Sequence, residues 1–173
     1  KKSFSAKVPV VVVGNIVVGG SGKTPLLISL CEYLAANGYK PGVVSRGYGG
    51  SVEGVRQVTR NDTAELVGDE PLLIQQRVNV PVVVSADRVA AVNYLIDNNP
   101  CDIILSDDGL QHYRMQRDFE IAVIDAKRKF ANGFCLPAGP LRERVSRLKD
   151  VDMVVYNGVL DNDDADDCTY SLE

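Results

Sequence analysis

The sequence predicts an α/β protein built on a mostly parallel, doubly wound sheet with helices on both faces. Three observations lead there. Short β-branched runs alternate with helix-like segments along the whole chain, as in strand, crossover helix, strand. The runs are apolar without interruption, as in Val10-Val11-Val12-Val13, Val82-Val83-Val84 and Ile103-Ile104-Leu105, which suits strands covered on both sides. The 173 residues, 45% hydrophobic and 24% charged, are enough for one well-cored domain and too few for two.

Strands are expected near residues 8–13, 42–46, 81–85, 102–106, 120–125 and 152–156. The first helix is expected from Lys23 to Asn37, because Leu26, Leu27, Leu30, Cys31, Leu34 and Ala35 recur on one face and Gly38 follows as a stop. Pro25 fits its first turn, where the missing N–H has no intrahelical partner to lose. Further helices are expected at 69–77, 87–98 and 141–149, and residues 47–68 and 126–140 read as long loops containing Gly and Pro. Loops of that length commonly serve a site.

Composition excludes several classes. The formal net charge is −4, yet residues 161–173 carry six acids and no Lys or Arg, which leaves residues 1–160 slightly basic. The expected organisation is a core over 1–160 followed by an acidic, solvated tail or the start of a further domain at 161–173. Cys31, Cys101, Cys135 and Cys168 are widely separated and form no C-x-x-C pair, so neither a zinc site nor a disulfide framework is suggested. The longest apolar stretch, Val8 to Val18, is too short to span a bilayer, and the chain alone reads as soluble. No basic stripe with interleaved aromatics points to nucleic acid.

Residues 14–24, Gly-Asn-Ile-Val-Val-Gly-Gly-Ser-Gly-Lys-Thr, stand between a buried strand and an amphipathic helix. In that context Gly19, Gly20, Ser21, Gly22, Lys23 and Thr24 read as a phosphate loop. Glycines let backbone N–H groups converge on phosphate oxygens, the helix start adds its positive end, Lys23 adds a full charge and Thr24 offers a hydroxyl to Mg²⁺. The strict motif would place a Gly at Val17, so the pattern departs by one residue. The expected ligands are ATP and Mg²⁺. Without the Lys and Asp of a guanine-reading motif after residue 156, GTP is disfavoured.

A second group closes the strand near 102–106: Asp107-Asp108-Gly109-Leu110-Gln111-His112. Carboxyl ends of parallel strands face the ligand crevice, so Asp107 or Asp108 is the metal candidate, expected beside Thr24. His112, the single histidine, stands four residues beyond Asp108. Asp69 reads either as a helix N-cap, with Glu70 a first-turn acid, or as the base that takes a proton from an attacking hydroxyl. Arg88 and Arg142 offer charge to a phosphorylated substrate.

Taken together, these segments resemble the tetraacyldisaccharide 4'-kinases of lipid A biosynthesis. The matches are G-N-I-V-V-G-G-S-G-K-T-P at 14–25, S-R-G-Y-G at 45–49, G-D-E-P at 68–71, D-R at 87–88, D-D-G-L-Q-H at 107–112 and P-A-G-P-L-R-E at 137–143. The family shares the departure at Val17, and its fold is a P-loop NTPase-like core. The resemblance implies transfer of the γ-phosphoryl of ATP to the 4'-hydroxyl of a tetraacyldisaccharide 1-phosphate, at the cytoplasmic face of an inner membrane. It implies Asp69, Asp108 and His112 as catalytic residues, Arg88 and Arg142 as substrate contacts, and Thr24, Asp107 and Glu143 as metal contacts. It also implies a membrane-associated segment before this stretch and a second small domain after it, so the chain reads as a fragment expected to bind ATP and to phosphorylate lipid poorly. The rival reading is a P-loop ATPase acting as a switch or metallochaperone on a protein partner.

Overall fold

The computed structural model describes residues 4–159 and 168–170. In chain order the elements are β1 (Val10–Gly14), α1 (Lys23–Ala36), β2 (Pro41–Ser45), β3 (Val55–Gln57), α2 (Ala64–Val67), α3 (Asp69–Arg77), β4 (Val82–Ser85), α4 (Arg88–Asn98), β5 (Ile103–Asp107), β6 (Phe119–Asp125), a 3-10 turn (Val145–Lys149), β7 (Met153–Asn157) and β8 (Cys168–Tyr170). They form one sheet in the order β3-β4-β2-β5-β1-β6-β7-β8. Among the described strands only β3 runs antiparallel, against β4. From β1 the chain moves to β2 on one side, and from β5 it moves to β6 on the other. That reversal opens a crevice at the carboxyl ends of β1 and β5.

Alternation along β1 splits the core in two. Val13 faces a cluster with Leu27 and Cys31 of α1, Ile74 of α3, Val43, Val84, Leu105 and Val123. Val10 and Val12 face the other, with Ala91, Val92 and Leu95 of α4 and Leu110, Met115 and Leu141. Both faces are thus covered, as the uninterrupted apolar strands require. On the second face, however, helix α4 shares the work with irregular chain from the β5–β6 and β6–β7 connections.

The six expected strands and three of the four expected helices are present within a residue or two. The helix expected at 141–149 is not. Leu141 instead bridges Val17 and Cys135, Arg142 N–H donates to the Ile16 carbonyl at 2.7 Å, and Val18 N–H donates to the Pro140 carbonyl at 2.8 Å. Backbone groups tied to the chain after β1 cannot also close helical turns, and only the short 3-10 turn remains. The loop expected at 47–68 contains β3 and α2, too short for a periodic signal. The acidic run 161–167 read as tail or loop lies outside the described residues. Beyond it, β8 pairs in parallel with β7, so the sheet continues past the boundary expected at 160.

Candidate active site

The phosphate loop is made mostly by backbone. Gly22 is the N-cap of α1 with φ 86°, and the helix has no acidic side chain in its first turn, so its positive end is left for an anion. Gly19 has φ 104°, a conformation side chains resist. Val17 has no such backbone angle; its side chain is buried beside Leu141, and that is why glycine is dispensable there. Asn15 braces the loop from within, donating from Nδ2 to Ser21 Oγ at 2.8 Å and accepting from Val17 N–H at 3.2 Å.

The carboxylates arrive from other elements. Parallel pairing sets Asp107 opposite Val13, at the level where β1 turns into the loop. Asp107 is 1% exposed and accepts from Ser45 Oγ at 2.9 Å, while its Oδ1 has no hydrogen-bond partner. Burial, and then the neighbouring charge of Glu70, raises its pKa from 3.8 to about 6. Asp108 adopts φ 48° and lies between two cations, Lys23 Nζ at 3.7 Å and Arg142 at 2.8 Å. Thr24 Oγ1 stands 3.5 Å from Glu70 Oε1.

The remaining predicted residues fall around this centre. Arg88 is 3% exposed and donates to the Asp107 carbonyl at 2.7 Å, with Nε and the other terminal nitrogen unpaired; burial lowers its pKa to about 10, against the pull of Asp107. His112 has its Nε2 buried without a partner, and burial together with Arg88 lowers its pKa. Asp69 opens α3 and is exposed. The N-cap there is Gly68, with no side-chain cap bond, so the capping alternative for Asp69 does not hold. Each oxygen of Glu143 accepts one hydrogen bond, Oε1 from Gln111 at 2.7 Å and Oε2 from the Tyr113 hydroxyl, with Arg147 3.5 Å away. The structure thus gathers Lys23, Thr24, Asp107, Asp108 and Arg142 about one crevice, with Arg88 beneath it and Glu143 at its rim, tied through Gln111 to Arg142 and to the Asn15 carbonyl.

Sequence reasoning overlooked Glu70, read there as a first-turn acid, and Ser45, Asn15 and Gln111. Ser45 ends a parallel strand, and that position was a usable signal. Glu70 lay inside the matched segment G-D-E-P, but nothing local set it beside Thr24, since only tertiary packing carries α3 to α1.

A protein-family model described as Tetraacyldisaccharide-1-P 4'-kinase matches residues 1–171. The chain belongs to this family. It is 55% identical over 158 residues to a tetraacyldisaccharide 4'-kinase of Shewanella pealeana, covering 91% of this chain and 48% of the relative. A tetraacyldisaccharide 4'-kinase of Legionella pneumophila is 53% identical over 167 residues, with 96% and 50% covered. The chain therefore spans about half the length of these curated relatives. A crystal structure of the "apo" form of LpxK from Aquifex aeolicus, in complex with ATP, superposes with a TM-score of 0.83 at 29% identity, covering 99% of this chain and 56% of that one.

Proposed function

We propose that this chain is the nucleotide-binding part of a kinase that moves the γ-phosphoryl group of ATP to the 4'-hydroxyl of a tetraacyldisaccharide 1-phosphate. The observation that carries the reading is the joining of Gly22, Lys23 and Thr24 at a helix start with Asp107 and Asp108 at the end of the adjacent strand. The family match and the similarity to an Aquifex protein crystallised in complex with ATP support it. No observation favours a switch or metallochaperone.

In this proposal Gly19, Gly20, Ser21 and Gly22 give main-chain N–H groups to the phosphates, and Lys23 supplies the charge. The donor set suits a small divalent cation: Asp107 offers a buried, unpartnered oxygen, Thr24 a hydroxyl, and Glu70 a carboxylate 3.5 Å from that hydroxyl. Mg²⁺ takes one or two carboxylates beside phosphate oxygens, and when bound it neutralises charge developing on the transferred group. Each Glu143 oxygen accepts one hydrogen bond, from Gln111 and from Tyr113, and keeps lone-pair capacity for a cation, so Glu143 and Glu70 are both candidate metal contacts, with Glu143 also orienting Gln111. Asp69, exposed at the start of α3, is the base that takes the proton of the acceptor hydroxyl. Arg142 shares Asp108 with Lys23 and is the cation placed to meet a phosphorylated acceptor. Arg88 supports the Asp107 backbone from below, and His112 borders it. In the intact protein the lipid acceptor sets the place of work at the cytoplasmic face of the inner membrane.

Calorimetric titration of ATP into the chain and its Lys23→Ala variant tests the proposal. Loss of a buried charge from the cradle should weaken ATP binding by about a hundredfold or more. Equal affinity would remove the phosphate-loop reading. Transfer itself is tested on the intact protein, where Asp69→Asn should abolish lipid phosphorylation while ATP affinity stays.

A further inference from the structure

On the side of the cradle away from Asp107, the chain leaves β6 in a tight turn. Asp125 fixes it by accepting the N–H groups of Lys127 and Arg128 at 2.9 and 2.8 Å, and its carbonyl accepts the Lys129 N–H at 2.8 Å. Left-handed backbone at Lys129 and Ala131, φ 42° and 50°, completes the turn. It sends the Arg128 side chain back over the phosphate loop. Both terminal nitrogens lie 3.3 Å from where a Cβ on Gly19 would stand. Arg128, Asp125, Asn15, Gly20 and Ser21 line the same narrow cleft.

Among the described residues no ion pair holds the guanidinium of Arg128. Lys23 and Arg142 both pair with Asp108, whereas Arg128 is exposed and has no carboxylate partner among the described residues. Its neighbour Asp125 has turned one carboxylate oxygen to the turn's own amides. A guanidinium held against a loop whose amides and helix end are also positive is repelled by them until an anion joins the group. A phosphate oxygen fits that gap, since a guanidinium presents paired donors to it.

We propose that Arg128 is a nucleotide-binding residue: its guanidinium closes the open side of the phosphate loop and donates to a phosphate oxygen of the bound nucleotide. This rests on the reading that residues 19–24 hold that nucleotide. It makes Gly19 the residue that lets the guanidinium approach, and the β6 turn a second wall of the site, unmarked by any motif.

The test is calorimetric titration of ATP and AMP into the chain and its Arg128→Met, Arg128→Lys and Lys23→Ala variants, with thermal melting as a check on folding. Arg128→Met keeps the packing over Gly19 and removes the charge. It should weaken ATP binding by about tenfold or more and AMP binding less, while Arg128→Lys retains most of the affinity. Should Arg128→Met aggregate, Arg128→Gln takes its place. The proposal is overturned if the uncharged variant binds ATP within about twofold of the parent while Lys23→Ala has lost it, or if ATP and AMP weaken equally, which packing alone would cause. If Lys23→Ala also binds normally, the site reading fails first and Arg128 with it.

Discussion

The two walls of the crevice are built in opposite ways. The phosphate loop is a backbone device: one stretch, residues 14–24, supplies its turns, its donors and its helix start, and the brace inside it spans six residues. The carboxylate wall is a side-chain device assembled across the chain, with Ser45 reaching Asp107 over 62 residues and Gln111 reaching Glu143 over 32. A backbone cradle tolerates change at its charged side chain without loss of folding, because the main chain keeps its shape. A wall of interlocked charges does not, because each member is the partner that another needs in a dry place.

The largest effect should come from Glu120, behind the wall. It is 7% exposed and accepts from both Arg117 and Arg147 at 2.7 Å, and Arg147 in turn stands by Glu143. Glu120→Gln leaves two half-buried arginines facing each other and should cost about 3–5 kcal/mol of stability, read by urea denaturation. A loss below about 1 kcal/mol, the scale of an exposed pair, would place this network at the surface in energetic terms.

Asp107 tests the wall from the other direction. Its carboxyl pKa is raised above 3.8 to about 6, by burial first and Glu70 second. A raised native pKa favours the folded chain at low pH: the contribution is complete below pH 4 and is lost as pH rises through 6. In metal-free buffer at pH 8, Asp107→Asn should therefore be more stable than the parent, by on the order of 2–3 kcal/mol. The gap should close as pH falls toward 4. A variant less stable at pH 8 would show that the charged carboxylate has compensation in the fold beyond Ser45 and Lys23.

The smallest stability effect belongs to the cradle. Lys23→Ala, which should remove ATP binding, leaves Asp108 with Arg142 at 2.8 Å and every main-chain turn in place. Because Arg142 stays on Asp108, the variant's melting midpoint should shift by an amount worth about 1–2 kcal/mol, below the cost of leaving a buried partner alone. A larger loss would mean that Lys23 props the loop as well as meeting its ligand.

These differences follow what could be read in advance. The uninterrupted runs at Val10, Val82 and Ile103 gave their strands, and the apolar face of Leu27 and Cys31 gave α1, because the period and its stop signals lie within the segment. Residues 141–144 misled for a physical reason: a helix-compatible local pattern was overruled when the Arg142 and Val18 amides found carbonyls on the facing segment. Asp107 and Thr24 were visible through motif and strand position. Glu70 and Arg128 were not, since each belongs to the site only because another element lies against it.

By itself, then, the sequence determined six of the strands, the three longer helices and the phosphate cradle, whose geometry depends on near neighbours and on glycines free to take left-handed angles. Tertiary structure alone decided which acids face that cradle, which cations neutralise them and which guanidinium is left open. Those choices depend on distances between groups far apart in the chain, and on water excluded from between them.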